Sequence, residues 1–403
     1  MIRNTNSQLR VPYALSVHGA EEVRAVRRVI EEHRTALGEN TRQFERKVAR
    51  LFGKEYGVMV NSGSSANLLA FELLNLPEGA EVITPLLTFA TTVAPIVQKR
   101  LVPVFVDVER GTYLPSAAEI ERQMTRKTRV MMIPSLIGNV PDMAALRALA
   151  RKHALYLIED SCDTLGAKFN HAPTGTYSDI STTSFYGSHI INAAGGGGMI
   201  CLDRPQWANR AKVLRGWGRS SSLFGESEDL DKRFCARIGR IPYDAKFIFT
   251  EIGYNFLPLE VSAAFGLEQL KKLPRFAAAR RKNFARLLRF FEKYEEFFVL
   301  PRQTPNSETS WLAFPLTIKR QSPFSRRDVT TWLEKHAIQT RPVFTGNILK
   351  QPAFRRIMRR APGRFPVTDY IMEQAFLIGC HQGLGAKHLD YLEDTFECFL
   401  KRF

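Results

Sequence analysis

The stretch Ser184–Gly198 reads SFYGSHIINAAGGGG and places one histidine, His189, shortly before four successive glycines, Gly195–Gly198. This glycine-rich turn lies between two apolar runs, and His189 follows Asp160 by about thirty residues. A lone histidine is more often structural than catalytic. The meaning of His189 therefore depends on the segments around it.

Short apolar runs recur along the chain on both sides of this turn and predict the strands of a sheet. They are YGVMV (residues 56–60), EVITP (81–85), VPVFVDV (102–108), RVMMIPSL (129–136), LYLIEDS (155–161) and GGMICL (197–202). Several are separated by stretches with helical periodicity, such as SANLLAFELL. Alternation of this kind indicates an α/β fold, with a mostly parallel sheet covered by helices.

Two further regions are predicted to be helical. Apolar residues recur every three or four positions over residues 20–52 and again, among many charges, over Val261–Tyr294. Shorter strands and helices alternate from Trp311 onward. We therefore predict a large domain over residues 12–270 and a smaller one over residues 271–403, with the boundary near Lys271–Pro274. The N-terminal tail, residues 1–30, is expected to pack on the smaller domain.

The composition is that of a globular chain of 403 residues, 44% hydrophobic and 24% charged. It has no uninterrupted apolar run long enough to cross a bilayer, so we expect no membrane association. The first residues, MIRNTNSQLRVPYAL, lack the apolar core and cleavage site of a signal peptide, which favours a cytoplasmic location. Five scattered cysteines without a CxxC pair predict free thiols and argue against a zinc or iron–sulfur site.

The net charge of +17 has two interpretations. Much of it lies in the last third of the chain, for example in RRIMRRAPGR at Arg355–Arg364. A basic surface can bind nucleic acid, or it can attract a phosphate-bearing substrate. The sequence contains no zinc-finger spacing, basic zipper or RNA-binding aromatic motif. We therefore favour a solvated basic face and predict no nucleic-acid partner.

Two segments end predicted strands with polar residues suited to a ligand. In NSGSSANLLAFELL a strand leads into a helix N-terminus, where backbone N–H groups favour a phosphate near Gly63 and Ser64. Ser64 or Ser65 suits the N-cap of that helix, although an N-capped helix after any strand would look the same. In LYLIEDSCDTLGA, Asp160 ends a buried strand and lies at the expected ligand crevice. A helix-capping aspartate is the alternative there.

The order and spacing of these three elements resemble the DegT/DnrJ/EryC1/StrS family of nucleotide-sugar aminotransferases, which have fold type I. The resemblance extends from about Pro12 to Leu400 and includes the signatures GYN, ending at Asn255, and TGN, ending at Asn347. It implies a large domain with a mostly parallel seven-stranded sheet flanked by helices, and a smaller α+β C-terminal domain. It also implies pyridoxal 5′-phosphate or pyridoxamine 5′-phosphate as cofactor, and a homodimer with shared active sites.

The family's motifs imply which residues of this chain hold the cofactor phosphate. By resemblance these are Gly63, Ser64 and Ser184, with Asn255 reaching the phosphate from the partner subunit. A phosphate held in this way would be shared between two copies of the chain.

The same resemblance implies roles around the pyridine ring and the substrates. Phe89, in PLLTFATT, would stack on the ring, and Asp160 would pair with the ring nitrogen and keep the ring electron-poor. Arg219, in WGRS, is a candidate for a carboxylate of glutamate, which suits a guanidinium fork. Arg341 and Asn347, in RPVFTGN, are candidates for contacts to the substrate or co-substrate.

His189 stands where the family's lysine would hold the cofactor as a Schiff base. An imidazole can move a proton but cannot form the imine. The chain is therefore most similar to the NDP-4-keto-6-deoxyhexose 3-dehydratases of 3,6-dideoxysugar pathways, in which histidine likewise replaces the lysine. One branch of these carries a cysteine-rich [2Fe–2S] segment after the WGR motif. Here the segment reads WGRSSSLFGESEDL, without cysteine, so the resemblance favours the cluster-free GDP-colitose type, which recharges its cofactor with L-glutamate.

The expected function is thus cofactor-dependent C3 dehydration of an NDP-4-keto-6-deoxyhexose, with His189 as acid and base. Two alternatives stay open. A plain sugar aminotransferase would need a lysine in this loop, and the chain has none between Lys168 and Lys212. A non-catalytic binding protein could keep the fold without the lysine. The loop also departs from the family pattern, since relatives carry a glutamate where this chain has Gly196, and it is one residue longer after His189.

Overall fold

The structure is a computed structural model that describes residues 9–224 and 229–403. Helices and strands alternate along most of these residues. The helices are α1 (Ala20–Glu31), α2 (Glu39–Leu51), α3 (Gly63–Leu74), α4 (Ala90–Gln98), α5 (Ala117–Arg122), α6 (Met143–Lys152), α7 (Pro205–Arg215), α8 (Leu230–Phe234), α9 (Glu260–Glu292), α10 (Arg326–Lys335), α11 (Pro366–Gln374) and α12 (Ala386–Leu400). The strands are β1 (Tyr56–Val60), β2 (Glu81–Pro85), β3 (Val102–Val106), β4 (Thr128–Pro134), β5 (Tyr156–Asp160), β6 (Lys168–Phe169), β7 (Ala172–Pro173), β8 (Ile180–Ser184), β9 (Gly198–Leu202), β10 (Ala236–Ile238), β11 (Ile241–Tyr243), β12 (Phe298–Val299), β13 (Ser307–Glu308), β14 (Phe314–Ile318), β15 (Thr340–Arg341) and β16 (Ala375–Ile378).

The central sheet has seven strands in the order β1-β9-β8-β5-β4-β2-β3. Strands β8, β5, β4, β2 and β3 pair in parallel, whereas β9 runs antiparallel between β1 and β8. The predicted mostly parallel seven-stranded sheet is confirmed. Because such strands are covered by helices on both faces, their sequences are continuous apolar runs rather than alternating ones.

Strand β4 shows how the two faces of this sheet are covered. Val130 and Met132 belong to an apolar cluster that also contains residues of α3 and α7. Met131 and Ile133 point the other way, into a cluster with residues of α6 such as Met143. The helices therefore form a layer on each side of the sheet and leave the ends of its strands for a ligand site.

Residues 20–52 are mostly helical, as predicted, but they form two helices, α1 and α2, with a break between them. His33 lies just after α1 with a left-handed φ of 55°, a conformation that does not continue a right-handed helix. The carboxylate of Glu260 accepts hydrogen bonds from the backbone N–H groups of Gly38, Asn40 and Thr41. These bonds satisfy the free donors at the start of α2 and fix where it begins.

The C-terminal part contains a second, antiparallel sheet in the order β12-β14-β16-β15. Helices α10, α11 and α12 accompany it, which matches the predicted α+β character. Helix α9 runs without interruption across residues 271–274, with Pro274 inside it, so the exact domain limits stay a prediction. Of the N-terminal tail, residues 1–8 lie outside the described ranges. Val11 pairs with Ile338 and belongs to the apolar core of the C-terminal part.

No helix within residues 9–224 and 229–403 is long and apolar enough to span a membrane. No three His, Cys, Asp or Glu side chains in the same ranges converge as metal ligands would. All five cysteines of the chain are free thiols.

Candidate active site

Gly63 and Ser184 meet where strands β1 and β8 end. A Cβ atom built on Gly63 would lie 2.7 Å from Cβ of Ser184 and 2.8 Å from Sγ of Cys162, so only glycine fits this position. Gly63 begins helix α3, whose N-terminal N–H groups suit an anion. Ser64 lies in the first turn of the helix and is exposed. The structure thus brings three of the predicted phosphate ligands together.

The prediction that Ser64 or Ser65 is the N-cap of α3 is wrong, because the N-cap is Ser62. Ser62 has extended backbone, and its Oγ accepts a hydrogen bond of 3.1 Å from the N–H of Ser65. Sequence alone could not choose among the serines, since each stands within two residues of the turn. Because Ser62 caps the helix, the side chain of Ser64 is left available for a ligand.

Asp160 lies at the carboxyl end of β5 and is only 5% exposed. Its Oδ2 accepts hydrogen bonds from Asn67 Nδ2 at 3.0 Å and from Thr92 Oγ1 at 2.8 Å. Its Oδ1 accepts one from the backbone N–H of Cys162 at 3.2 Å. The hydroxyl of Thr182 donates to the amide oxygen of Asn67 and orients that amide. The carboxylate is therefore fixed in one position by three donors.

Asn67 and Thr92 were missed in the sequence analysis. They lie 93 and 68 residues from Asp160 in the chain, on helices α3 and α4. The only sequence signal is polarity in apolar surroundings, since Asn67 interrupts the apolar helix SANLLAFELL. A buried amide needs hydrogen-bond partners, but the sequence does not say which.

His189 is half-buried and hydrogen-bonds through Nδ1 to the carbonyl oxygen of Ser184 at 3.3 Å. A carbonyl only accepts, so Nδ1 carries the proton in this contact and Nε2 keeps a lone pair. Burial lowers the pKa of His189 to about 4. The Ser184 carbonyl and Asp160 oppose this lowering, whereas the charge of Arg280 adds to it. The ring is therefore a neutral imidazole at pH 7.

Phe89 and the predicted substrate segment lie next to each other. The ring of Phe89 is 54% exposed and meets the ring of Phe344 edge-on, with 6.1 Å between centroids. The hydroxyl of Thr345 donates to the carbonyl oxygen of Thr88 at 2.6 Å. The segment after β15 is thereby held against the segment after β2.

The two candidate residues of that segment differ in what their side chains contact. Arg341 is exposed, and its guanidinium lies 5.6 Å from the ring centroid of Tyr13. Asn347 is buried, donates to Asp369 at 2.7 Å and accepts from the N–H of Leu349 at 3.0 Å. Both ends of the Asn347 amide are thus engaged within the C-terminal part of the chain, although its backbone forms a β-bridge with Leu87, two residues before Phe89.

Arg219 and Asn255 are the remaining predicted site residues. Asn255 lies near the end of β1, because the carbonyl oxygen of its neighbour Phe256 accepts a hydrogen bond of 3.0 Å from the N–H of Asn61. Gly216 and Asn255 form a β-bridge, and the guanidinium of Arg219 stacks over Trp217 at 4.3 Å. Arg219 and Asn255 both line a cavity of about 890 Å³. The lining of this cavity does not include Gly63, Asp160, Ser184 or His189. The buried Nε atoms of Arg215 and Arg219 have no hydrogen-bond partner among the described residues.

A second aspartate, Asp163, was also missed, although it is visible in the sequence as the last acid of EDSCD. Its Oδ2 accepts from the N–H of Ile137 at 2.9 Å. Burial, with a smaller effect of the neighbouring Asp160, raises the pKa of Asp163 to about 7. A buried carboxyl group, Asp160, and a half-buried one, Asp163, therefore flank the end of β5.

The strand ends fit a phosphorylated pyridine. The close approach at Gly63 leaves an anion site at a helix N-terminus, Asp160 is fixed for a ring nitrogen, and Phe89 presents an exposed ring. The buried hydroxyls of Thr88 and Ser135 have no hydrogen-bond partner among the described residues. Each of these two residues follows a parallel strand, so a ligand at this edge could satisfy them.

The chain belongs to the DegT/DnrJ/EryC1/StrS aminotransferase family, whose family model matches residues 17–397. It is 37% identical to a dTDP-4-dehydro-2,6-dideoxy-D-glucose 3-dehydratase of Saccharopolyspora spinosa, over 92% of this chain and 82% of that one. It is 32% identical to a GDP-4-keto-6-deoxy-D-mannose 3-dehydratase of Yersinia pseudotuberculosis, over 93% and 95% of the two chains.

A solved structure also resembles this chain. It is a GDP-4-keto-6-deoxymannose-3-dehydratase with a trapped PLP–glutamate geminal diamine, with a TM-score of 0.84 and 30% identity over 96% of this chain and 99% of the other. These findings confirm the predicted family and fold. They also confirm the cofactor prediction, because the family is one of pyridoxal-phosphate enzymes.

Proposed function

We propose that this chain catalyses the C3 dehydration of an NDP-4-keto-6-deoxyhexose, with pyridoxamine phosphate as cofactor and L-glutamate as amino donor. His189 is the observation that carries the proposal, because a neutral imidazole with a free Nε2 stands where the family's lysine is expected. Both relatives described above are named as 3-dehydratases of nucleotide-linked sugars, one with dTDP and one with GDP. The proposal therefore names the sugar chemistry and not the nucleotide.

The residues at the strand ends would hold the cofactor. Gly63, Ser64 and Ser184 surround the place for its phosphate, and Asp160 would pair with the ring nitrogen. The exposed ring of Phe89 offers a stacking surface. When bound, the cofactor supplies a protonated, electron-poor ring that accepts an electron pair.

His189 would move the proton at Nε2. Because the imidazole is neutral at pH 7, it can accept a proton as a general base. The carboxylate of Asp160 favours the protonated imidazole of His189, and this imidazolium would then serve as the general acid. The C3 hydroxyl of the sugar would receive this proton and leave as water. The amino product would hydrolyse to a 3-deoxy-4-keto sugar and ammonia.

The amino donor would be L-glutamate, which leaves as 2-oxoglutarate. Arg219 remains the candidate for one of its carboxylates, and its Nε, which has no hydrogen-bond partner in the part of the chain that the structure describes, supports this role. Arg341 is the candidate for the sugar nucleotide, because it lies exposed beside the segment that contacts Phe89. Asn347 stays a candidate only if its amide leaves Asp369 when substrate binds.

We further propose a homodimer with shared active sites. Asn255 would complete the phosphate site of the partner subunit, and the cavity that it lines in its own chain is not lined by Gly63, Ser64 or Ser184. Large apolar side chains near it are exposed, including Ile252 at 99% and Leu259 at 62%. Apolar side chains of this kind, clustered on one surface, mark a protein interface.

We place the enzyme in the cytoplasm and assign it no nucleic-acid partner. Free thiols suit a reducing compartment. The basic segment predicted to be solvated does carry exposed arginines, among them Arg355, Arg356 and Arg359. Such a surface would attract a nucleotide-bearing substrate through long-range electrostatics.

The test is the absorbance spectrum of the purified protein with pyridoxal phosphate, before and after addition of L-glutamate, with 2-oxoglutarate assayed in parallel. Conversion to the pyridoxamine form with stoichiometric 2-oxoglutarate supports the proposal. Binding without conversion contradicts glutamate as the donor. Absence of binding favours the non-catalytic alternative, and borohydride trapping of the cofactor on the protein would favour an aminotransferase-like lysine elsewhere.

A further inference from the structure

We infer that Arg280 and Gln382 position His189 for proton transfer, through a chain of hydrogen bonds that reaches it from the C-terminal part of the molecule. The inference rests on the proposed role of His189. Neither residue is inferred to contact the substrate or the cofactor. They are positioning residues, because they act through the backbone next to His189 and through charge.

Gln382 contacts the loop that carries His189. Its Nε2 donates to the carbonyl oxygen of Ile190 at 3.3 Å, and Ile190 is buried directly after His189. Its Oε1 accepts from Nε of Arg280 at 2.7 Å. The glutamine is thus fixed at both ends, so that the backbone at Ile190 is tied to the side chain of Arg280.

Arg280 also contacts the opposite side of the site. Its Nη1 donates to the carbonyl oxygens of Trp311 and Leu312 at 3.2 and 2.9 Å. The N–H of Leu312 donates to the carbonyl oxygen of Ile137 at 2.8 Å, and the N–H of Ile137 donates to Asp163. One guanidinium therefore connects the His189 loop with the loop beside Asp163.

The charge of Arg280 is unusual in its surroundings. The side chain is 1% exposed, and within the described ranges its partners are the amide oxygen of Gln382 and two backbone carbonyls, with no carboxylate. Burial lowers the pKa of Arg280 itself to about 10, which leaves it charged at pH 7. Burying a cation without a counter-ion lowers the stability of the folded protein. The groups that surround His189 indicate a functional use for this charge.

The use follows from the groups that act on His189. Arg280 disfavours the protonated imidazole, whereas the carbonyl of Ser184 and the carboxylate of Asp160 favour it, and the ring of Tyr186 lies beside it. Arg280 thereby helps to keep His189 neutral until a proton is transferred. The hydrogen bonds through Gln382 hold the backbone that aims Nε2.

The first experiment measures the protonation of His189 in the cofactor-free full-length protein, by NMR titration of labelled histidine. The signal is assigned by its loss in H189N. The variant R280Q should raise the midpoint, because it removes a positive charge that disfavours the protonated ring, whereas R281Q, the matched change at the exposed neighbour, should leave it unchanged. An unchanged midpoint in a folded R280Q overturns the electrostatic role.

The second experiment leaves Arg280 in place and tests the positioning role of Gln382, so it can be carried out even if R280Q does not fold. The variant Q382M should speed hydrogen–deuterium exchange in the peptide over residues 186–196, relative to the wild type. The matched control is Q374M, at a half-buried glutamine of helix α11. Equal exchange in all three proteins overturns the positioning role.

Kinetics separate this inference from the proposed function. If the wild type dehydrates the sugar, Q382M should lower kcat by about tenfold or more with little change in KM, because a misaimed base slows the proton transfer and not the binding. If the wild type has no such activity, the proposed function fails. The titration and the exchange rates would still report on Arg280 and Gln382.

Discussion

The two parts of the candidate site differ in how complete they are within one chain. At the strand ends, Asp160 receives three hydrogen bonds, and Gly63 and Ser184 are in close contact. Around Arg219 and Asn255, by contrast, the Nε atoms of Arg215 and Arg219 have no hydrogen-bond partner among the described residues, and large apolar side chains are exposed. Buried polar groups are normally satisfied. The first part is therefore preorganised by its own chain, and the second leaves groups that a ligand or the proposed partner subunit could satisfy.

The largest expected effect is at His189, the centre of the preorganised part. H189N should lower the dehydration rate by about 10²–10⁴-fold, because an amide cannot take up the proton. The absorbance spectrum of bound pyridoxal phosphate should remain, since the phosphate and ring contacts lie on other residues. H171N, at a histidine whose side chain is 93% exposed, is the control. Retained turnover in H189N would refute the assignment.

The incomplete part can be tested by mixing two inactive variants. H189N and N255A should each be inactive as homodimers if Asn255 acts in the partner's site. A mixed dimer then holds one site with both changes and one site with neither. Equal mixing after dissociation should restore roughly a quarter of the wild-type activity. No recovery, in a sample shown to contain mixed dimers, would place Asn255 in the site of its own chain.

A smaller effect is expected where the preorganised part is only loosened. T92V removes the hydroxyl that donates to Asp160 at 2.8 Å and leaves the shape of the side chain unchanged. Loss of one hydrogen bond to a buried carboxylate costs about 1–3 kcal/mol, so the affinity for pyridoxal phosphate should fall about tenfold. T92S, which keeps the hydroxyl, should bind the cofactor as the wild type does. Equal affinities in T92V and T92S would mean that Thr92 does not support Asp160.

The same division explains what the sequence could predict. Asp160 could be placed at the ligand edge, because it ends a predicted apolar strand of a parallel sheet. Strand β8, which ends at Ser184, was not predicted because its sequence ISTTS is polar, and Ser184 was named by resemblance alone. Asn67 and Thr92 could not be assigned to Asp160, since those contacts join residues 93 and 68 positions apart. The break between α1 and α2 depends on Glu260, which lies 222 residues from Gly38. Local pattern thus predicts strands and their ends, and packing decides which side chains meet there.

A pH effect on stability is expected from His381, which is buried beside the N-terminal segment. Its Nδ1 accepts from the N–H of Gly383 and its Nε2 contacts the carbonyl of Pro12, so only the neutral ring satisfies both. Burial lowers the pKa of His381 to about 4. The unfolded chain takes up this proton near pH 6.5, so this contribution is present above pH 6.5 and is lost as the pH falls towards 4.

The measurement compares urea unfolding of the wild type and H381Q at several pH values. H381Q should be the less stable protein at pH 7, and the difference should shrink by about 2 kcal/mol between pH 7 and pH 4. Comparing the two proteins removes the opposite contribution of Asp163, whose pKa is raised and which both of them contain. A constant difference across this range would mean that His381 titrates normally in the folded state.

The smallest effect is expected at Gly196, where this chain departs from its family. A Cβ built there would lie 3.8 Å from the carbonyl oxygen of Asn61, which is ordinary contact, and Gly196 does not have a positive φ, unlike Gly195 and Gly197. G196E should therefore fold with an unfolding free energy within about 1 kcal/mol of the wild type. G197E, at a φ of 133°, should be clearly less stable. If G196E lowered the unfolding free energy as much as G197E does, the backbone of this loop would require glycine at position 196 as well. The absence of the family's glutamate would then be explained by the loop conformation, and not by a change in the chemistry of the site.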